Sequence, residues 1–246
     1  MTTVIITGAS SGIGEALARE CHRRGYAVGM VARRAERLEA IKRDLGERCE
    51  VAIADVRQRD ETAGAIGKLE AALGPCDVLI ANAGIASNNA AFRFEYDDFN
   101  RVMQTNVFGV IHSVEPVLKS MIDRSSGHLV VVSSMAAFRG LPRLGAYCAS
   151  KSAVSTLFES WRFDLRRNKI HLTAVHPGYV ETPILKGHDK VKKPFLMNVS
   201  LAASTIVDGI ERRKLTITFP WQMKLILGFA RLLPSTWYVR FASRFL

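Results

Sequence analysis

Thr7-Gly8-Ala9-Ser10-Ser11-Gly12-Ile13-Gly14 lies where an apolar run, Thr3-Val4-Ile5-Ile6, must turn directly into a helix. The β-branched residues before the turn favour an extended strand, and glycine supplies the positive φ that a tight strand-to-helix turn needs. Glycine also lets backbone approach a pyrophosphate with no Cβ in the way, while a helix starting near Gly12 aims free N–H groups at phosphate oxygens. Three glycines alone say little. Placed between a strand and a helix, with a second strand at 27–32 closing the unit, they form a dinucleotide-binding pattern.

Outward from that turn, Val/Ile-rich runs recur at residues 28–32, 51–54, 78–81, 129–133 and 172–175, with a last one at 215–219. Helical patterns separate them, and Leu38, Ile41 and Leu45 have the spacing of a helix laid on a sheet. Strands buried on both faces and alternating with helices imply an α/β, doubly wound Rossmann fold, with a parallel sheet of about seven strands and helices on both sides. Ligands of such sheets sit beyond the carboxyl ends of the strands, which singles out Arg33, Asp55, Asn82, Ser134 and Pro177.

The 246 residues are 48% hydrophobic and no Pro/Ser/Gly-rich linker divides them, so a single domain over 1–246 is expected. Cys21, Cys49, Cys76 and Cys148 form no CxxC pair and no ligand cluster with the histidines, so neither a disulfide framework nor a metal site is expected. With Met1 leading within a few residues into the first strand, no targeting segment is expected, and the cytoplasm is the default compartment. The net charge of +11 is uneven: from Lys186 onward eleven Lys/Arg face only Asp189, Asp208 and Glu211. Such a surface suits nucleic acid, anionic lipid or an acidic partner, and no nucleic-acid motif accompanies it, so nucleic acid is not expected.

Tyr147-Cys148-Ala149-Ser150-Lys151 opens a helical pattern, and a four-residue separation puts the Tyr and Lys side chains on one face. A phenol with a pKa of about 10 moves protons poorly at neutral pH unless a nearby cation stabilises its anion. An isolated pair of this kind is ordinarily a packed tyrosine and a solvated lysine. Here Ser133-Ser134 ends a strand thirteen positions before Tyr147, Asn106 lies in a helical segment, and Asn82-Ala83-Gly84 follows the strand at 78–81.

Together with residues 7–14, these motifs resemble the short-chain dehydrogenase/reductase superfamily in its compact single-domain branch, over about three quarters of the chain. The resemblance implies that Tyr147 exchanges a proton with the substrate oxygen and Ser134 holds that oxygen. Lys151 would bind the nicotinamide ribose and lower the tyrosine pKa, and Asn106 would support a proton-relay water. It further implies cofactor contacts from Gly8, Ser10, Ser11, Gly12, Ile13 and Gly14, from Asp55 and Val56, and from Asn82, Ala83 and Gly84. Tyr147, Lys151, Pro177, Gly178, Val180 and Thr182 complete that set, the last four in the loop that orients the nicotinamide. A homodimer through helices around 100–122 and 147–168 is a family expectation.

An acid at the end of the second strand would accept from a ribose 2′-hydroxyl and repel a 2′-phosphate. The chain reads Val31-Ala32-Arg33-Arg34 there, so NADP(H) is favoured over NAD(H), with Arg33 the first candidate for the phosphate and Arg34 the second. Beyond Pro183, residues 184–214 read as a substrate lid region in which lysines mix with Phe195, Leu196 and Met197. Residues 220–246 read as amphipathic helices. Seven basic residues and no acidic one lie between 212 and 246, the composition of a helix lying at a membrane interface. Helices folded on their own core or a subunit interface fit equally. A membrane span is not expected, because Pro220, Lys224 and Arg231 interrupt any run of about twenty apolar residues. The function expected is NADP(H)-dependent reduction of a ketone or aldehyde on a small lipophilic molecule. The oxidative direction and a non-catalytic NADP(H)-binding sensor or scaffold remain the alternatives.

Overall fold

The computed structural model describes residues 2–185 and 193–242. Seven strands, β1 (Thr3–Thr7), β2 (Ala27–Ala32), β3 (Cys49–Ile53), β4 (Val78–Ala81), β5 (Gly127–Val132), β6 (Ile170–Pro177) and β7 (Thr216–Phe219), form one sheet. In space they run β3-β2-β1-β4-β5-β6-β7, and every neighbouring pair is parallel. The chain winds from β1 out to β3, then returns to the other side of β1 as β4. Connections therefore leave β1 and β4 in opposite directions and open a crevice beyond their carboxyl ends. Pairing of Thr7 with Val31 and of Ile6 with Ile80 sets Gly8 and Asn82 side by side at that crevice.

Strand alternation sorts the core. Val4 and Ile6 face α1 (Gly12–Arg23), α2 (Ala35–Leu45) and the later α7 (Val199–Glu211), meeting Leu17, Leu38, Ile41 and Ile206. Ile5, Leu79, Leu129 and Val131 point the other way, onto α3 (Arg59–Leu73), α5 (Gly109–Asp123) and α6 (Gly145–Leu165), where Ile66, Leu69, Val117 and Phe158 receive them. Each such side chain, wholly removed from water, contributes roughly 1.5–3 kcal/mol before entropy is counted. A short α4 (Tyr96–Met103) runs into α5 through one wide turn of π geometry at Gln104–Phe108. After β7 the chain forms α8 (Trp221–Leu232) and α9 (Ser235–Ala242), which supply the expected carboxy-terminal helices. Among the described residues no helix is long and apolar enough to cross a membrane.

The lid expected over 184–214 must be redrawn. Residues 199–211 are α7, a core helix whose Ala202, Ala203, Ile206, Val207 and Ile210 are buried against α1 and the sheet. Asn198 caps its start by accepting from Ser200 N at 2.8 Å, and a methyl group at Gly209 would strike Ile217 of β7. Small and branched apolar residues at helical spacing make this stretch a sheet-packing face. Within 184–198, Leu185 closes a short turn, Met197 pairs with the Tyr179–Glu181 backbone, and residues 186–192 lie outside those described.

Candidate active site

The glycine-rich turn is shaped by close backbone approach. Gly8 has φ +69° and donates its N–H to Val31 O at 2.8 Å; a Cβ there would lie 2.7 Å from Ala83 Cα. A Cβ on Gly14 would collide with the Gly8 carbonyl and with Asn82 Nδ2. Asn82 donates from Nδ2 to Thr7 O at 3.0 Å and Gly8 O at 3.3 Å, while Thr7 Oγ1 accepts from Asn82 N and Ala83 N. Asn82 and Thr7 thus lock the ends of β1 and β4 together. Gly12, with φ +59°, faces the Thr182 methyl, which a Cβ would meet at 3.3 Å. Ile13 packs half-buried on the core behind the turn. The crevice floor is therefore backbone, a cradle that side chains at glycine positions would fill, and it fits a dinucleotide.

The two arginines after β2 divide their work. Arg34 donates to Ser10 Oγ from Nε at 3.1 Å and from Nη2 at 2.9 Å, and to Ser11 Oγ at 2.6 Å, so its guanidinium lies along the turn itself. Arg33 stands out into solvent 3.6 Å from Asp55, whose carboxylate is engaged by Arg57 and held below the usual carboxylate range by that contact. The second candidate, Arg34, is thus the one built into the turn. Val56 is buried against Gly109, and His112 Nδ1 lies 2.8 Å from its carbonyl, fixing the segment after β3.

Beside the crevice, α6 brings Tyr147 and Lys151 to the carboxyl end of β5. Ser134 starts the short turn Met135–Ala137 and accepts from Ala136 N at 3.1 Å. Its hydroxyl also faces the Tyr147 phenol and pulls that pKa down, against burial, which is the larger influence and drives it up. Lys151 is 4% exposed and, among the described residues, has no carboxylate beside it; Nζ donates to Val132 O at 2.9 Å and lies 5.8 Å from the Tyr147 ring centre. Burial lowers its pKa to about 8. Ser133 serves the scaffold instead. It donates to Lys151 O at 3.0 Å and shares a 2.8 Å bond with Ser155, tying β5 to α6.

Asn106 sits fully buried in the π turn. Its Oδ1 accepts from Ile85 N at 2.8 Å, and its Nδ2 donates to Ile85 O at 2.9 Å and Ser150 Oγ at 3.0 Å. The side-chain amide thereby clamps the segment after β4 onto α6. Gly84 lets Lys151 Nζ and Asn106 Oδ1 approach the same spot, at 3.2 and 3.3 Å from where a Cβ would stand. Pro177 ends β6, Gly178 donates to Phe219 O at 2.7 Å, and Val180 is buried in the core and pairs with Met197. Thr182 donates from Oγ1 to Val180 O at 3.1 Å and reaches the glycine turn. Sequence reasoning missed Thr7, Ser150 and the Val132 carbonyl as parts of the site. The two hydroxyls lie inside the glycine-rich and Tyr-Lys motifs, whereas a main-chain carbonyl leaves no trace in residue type. Among the described residues no three His, Cys, Asp or Glu gather as metal ligands.

A backbone-lined crevice at the switch point, with a tyrosine, a serine and a buried lysine at its edge, is the arrangement of a dinucleotide-dependent oxidoreductase. The chain matches the short chain dehydrogenase family over residues 2–193 and belongs to that family. It is 37% identical to an uncharacterized oxidoreductase of Myxococcus xanthus, over 98% of this chain and 96% of that protein. A 3-ketoacyl-(acyl-carrier-protein) reductase from Brucella melitensis, solved with NADH, superposes with TM-score 0.80 at 25% identity, covering 88% of this chain and 94% of the other. An alcohol dehydrogenase from Thermococcus sibiricus, solved with 5-hydroxy-NADP, gives TM-score 0.80 at 26% identity over 89% and 96%.

Proposed function

We propose that this protein is an NADP(H)-dependent reductase of ketones or aldehydes on lipophilic molecules. The observation that carries this reading is the meeting of Ser134, Tyr147 and buried Lys151 at the edge of the cradle. Residues 8–14, Asn82–Gly84 and the 177–182 segment would hold a nicotinamide dinucleotide, which would supply the hydride. Tyr147 gives its proton to the substrate oxygen while the Ser134 hydroxyl donates to the same atom, where negative charge develops. The phenol, whose pKa burial raises and the Ser134 hydroxyl pulls back down, carries its proton at neutral pH. Lys151 holds positive charge beneath the pair, and Asn106 with Ser150 fixes the segment opposite.

The preference for NADP(H) rests on Arg34 along the turn with Ser10 and Ser11, on Arg33 nearby, and on the absence of an acid among residues 31–34. Lipophilicity is supported by exposed apolar residues on two loops that leave the carboxyl edge of the sheet: Phe92 and Phe94 on one, Ile184, Phe195 and Leu196 on the other. We assign the whole chain to one Rossmann unit working in the cytoplasm as a homodimer, for which exposed Phe108 and Phe163 beside α5 and on α6 offer apolar contacts.

NADPH oxidation against ketones and aldehydes of graded chain length tests the reading. Rates should rise with chain length, and Tyr147→Phe should lower them by about 10²- to 10⁴-fold while NADPH still binds. NADPH binding with no turnover in either direction would put the non-catalytic sensor in its place.

A further inference from the structure

Trp221, Leu225, Phe229 and Leu232 recur at spacings of four, four and three, which places them along one side of α8. Each is between 64% and 81% exposed. The opposite side of α8 is already used: Met223 packs over Gly178, where a Cβ would come within 2.7 Å of its sulfur, and Leu227 is half-buried. α9 is also pinned. Tyr238 donates to Gly140 O at 2.6 Å, Arg139 donates to Leu233 O at 3.1 Å, and the Arg139 guanidinium stacks 4.6 Å from the Tyr238 ring centre. The helices are thus held against the protein with their largest apolar groups outward.

We propose that α8 and α9 dock this protein on an anionic lipid bilayer, with the Trp221–Leu225–Phe229–Leu232 stripe inserted among the headgroups. Charge selects this occupant. α8 and α9 carry no acidic residue, and Lys224 on α8 and Arg240 on α9 are exposed, whereas Arg212, Arg213 and Lys214 precede β7 and lie toward the opposite edge of the sheet. A second copy meeting this face would bring like charges together, whereas an anionic bilayer offers hydrocarbon to the stripe and negative charge to its flanks. A twelve-residue α8 is too short to span, so it lies in the interface plane.

The site gives the docking a purpose. Gly178 follows β6 and Gly140 lies between Ser134 and Tyr147, so α8 and α9 rest on the two segments that frame the catalytic edge. Docking sets the mouth of the site at the lipid surface, and a lipophilic carbonyl compound would enter from the bilayer. That last step rests on the function proposed above; the docking itself does not.

Flotation of the full-length protein with vesicles of equimolar phosphatidylglycerol and phosphatidylcholine tests the docking, with phosphatidylcholine alone as the control. Wild-type protein should float with the anionic vesicles, less with neutral ones and less as salt rises, and emission from Trp221 and Trp237 should shift to the blue. Phe229→Glu should weaken partitioning by about tenfold or more, given the apolar area lost from the stripe. Lys224→Glu should weaken it by roughly tenfold, because a cation is replaced by an anion at a charged surface. Turnover of a water-soluble carbonyl compound and the melting temperature should be unchanged in both. Wild-type protein that stays at the bottom of the gradient overturns the proposal, as does equal flotation of Phe229→Glu. A dimer that Phe229→Glu dissociates, in protein that does not float, would assign the face to a second copy instead. Turnover without flotation sinks the docking alone, and flotation without turnover sinks the reductase reading alone.

Discussion

Leu17 on α1 and Leu232 on α8 are both leucines on an apolar helix stripe, yet the first is fully buried and the second 81% exposed. α1 has a parallel sheet beneath it and α7 beside it, so its stripe finds partners within the chain. α8 follows the last strand, at the sheet edge, and among the described residues the side bearing Met223 and Leu227 is the one that finds partners. The same contrast separates the glycines. In the β1–β4 crevice they exist because backbone must touch backbone, whereas on α8 a Cβ added at Gly228 would meet nothing within 4 Å beyond its own helix. Tertiary demand, not residue type, decides which positions are constrained.

Substituting alanine at one glycine from each region puts that contrast to its hardest trial. Gly14→Ala should destabilise the protein by about 1–3 kcal/mol in urea melts, because the methyl has only the Gly8 carbonyl and Asn82 to displace, and NADPH affinity should fall with it. Gly228→Ala should stabilise by up to about 1 kcal/mol through helix propensity alone. Equal effects would mean that the crevice is not tightly built.

Within the crevice, Arg34→Ala should cut the ratio of kcat/KM for NADPH over NADH by about ten- to a hundredfold, the worth of hydrogen bonds to a charged group. Arg33→Ala should change it less, since Arg33 stands in solvent beside Asp55. A larger loss at Arg33 would restore it as the main phosphate contact.

Acid should act on the sheet before it acts on the tail. Burial holds His128 and His176 neutral with pKa values lowered from 6.5 to about 4. Between those values the unfolded chain binds more protons than the folded one, so stability falls as pH drops from about 6.5 to 4. Thermal melts of His128→Asn with His176→Asn should show a shallower acid slope than wild type. At the small end, Leu232→Ser should change stability by less than about 0.5 kcal/mol, as for an exposed position with no packing role. A larger loss would mean that the α8 stripe has a partner within the chain.

The doubly wound sheet was legible because its strands are buried on both faces and so are written as unbroken Val/Ile runs, as at 129–133. Gly8, Asn82, Ser134, Tyr147 and Lys151 could be singled out as candidates for a related reason: each follows a strand end or opens a helix at a fixed offset. The strand margins were less so. β3 begins at Cys49 and β6 runs from Ile170 to Pro177, beyond the runs at 51–54 and 172–175, because hydrogen bonding to a neighbour carries a strand past its apolar centre. The 199–211 stretch was misjudged as part of a lid because its apolar face says only that it is covered, not by what.

Residue order alone thus settles the turn at Gly8, the succession of strands and helices, the offset between Tyr147 and Lys151, and the basic charge of the last quarter. These depend on local backbone preference and short-range periodicity, which residues close in the chain settle among themselves. Four outcomes needed the folded chain: Arg34 lies along the turn, Asn106 clamps Ile85 to Ser150, Lys151 reaches the Val132 carbonyl, and α8 turns Trp221, Leu225, Ile226, Phe229 and Leu232 outward. Each depends on which distant segment arrives alongside, and residue type does not encode the identity of a neighbour across the fold.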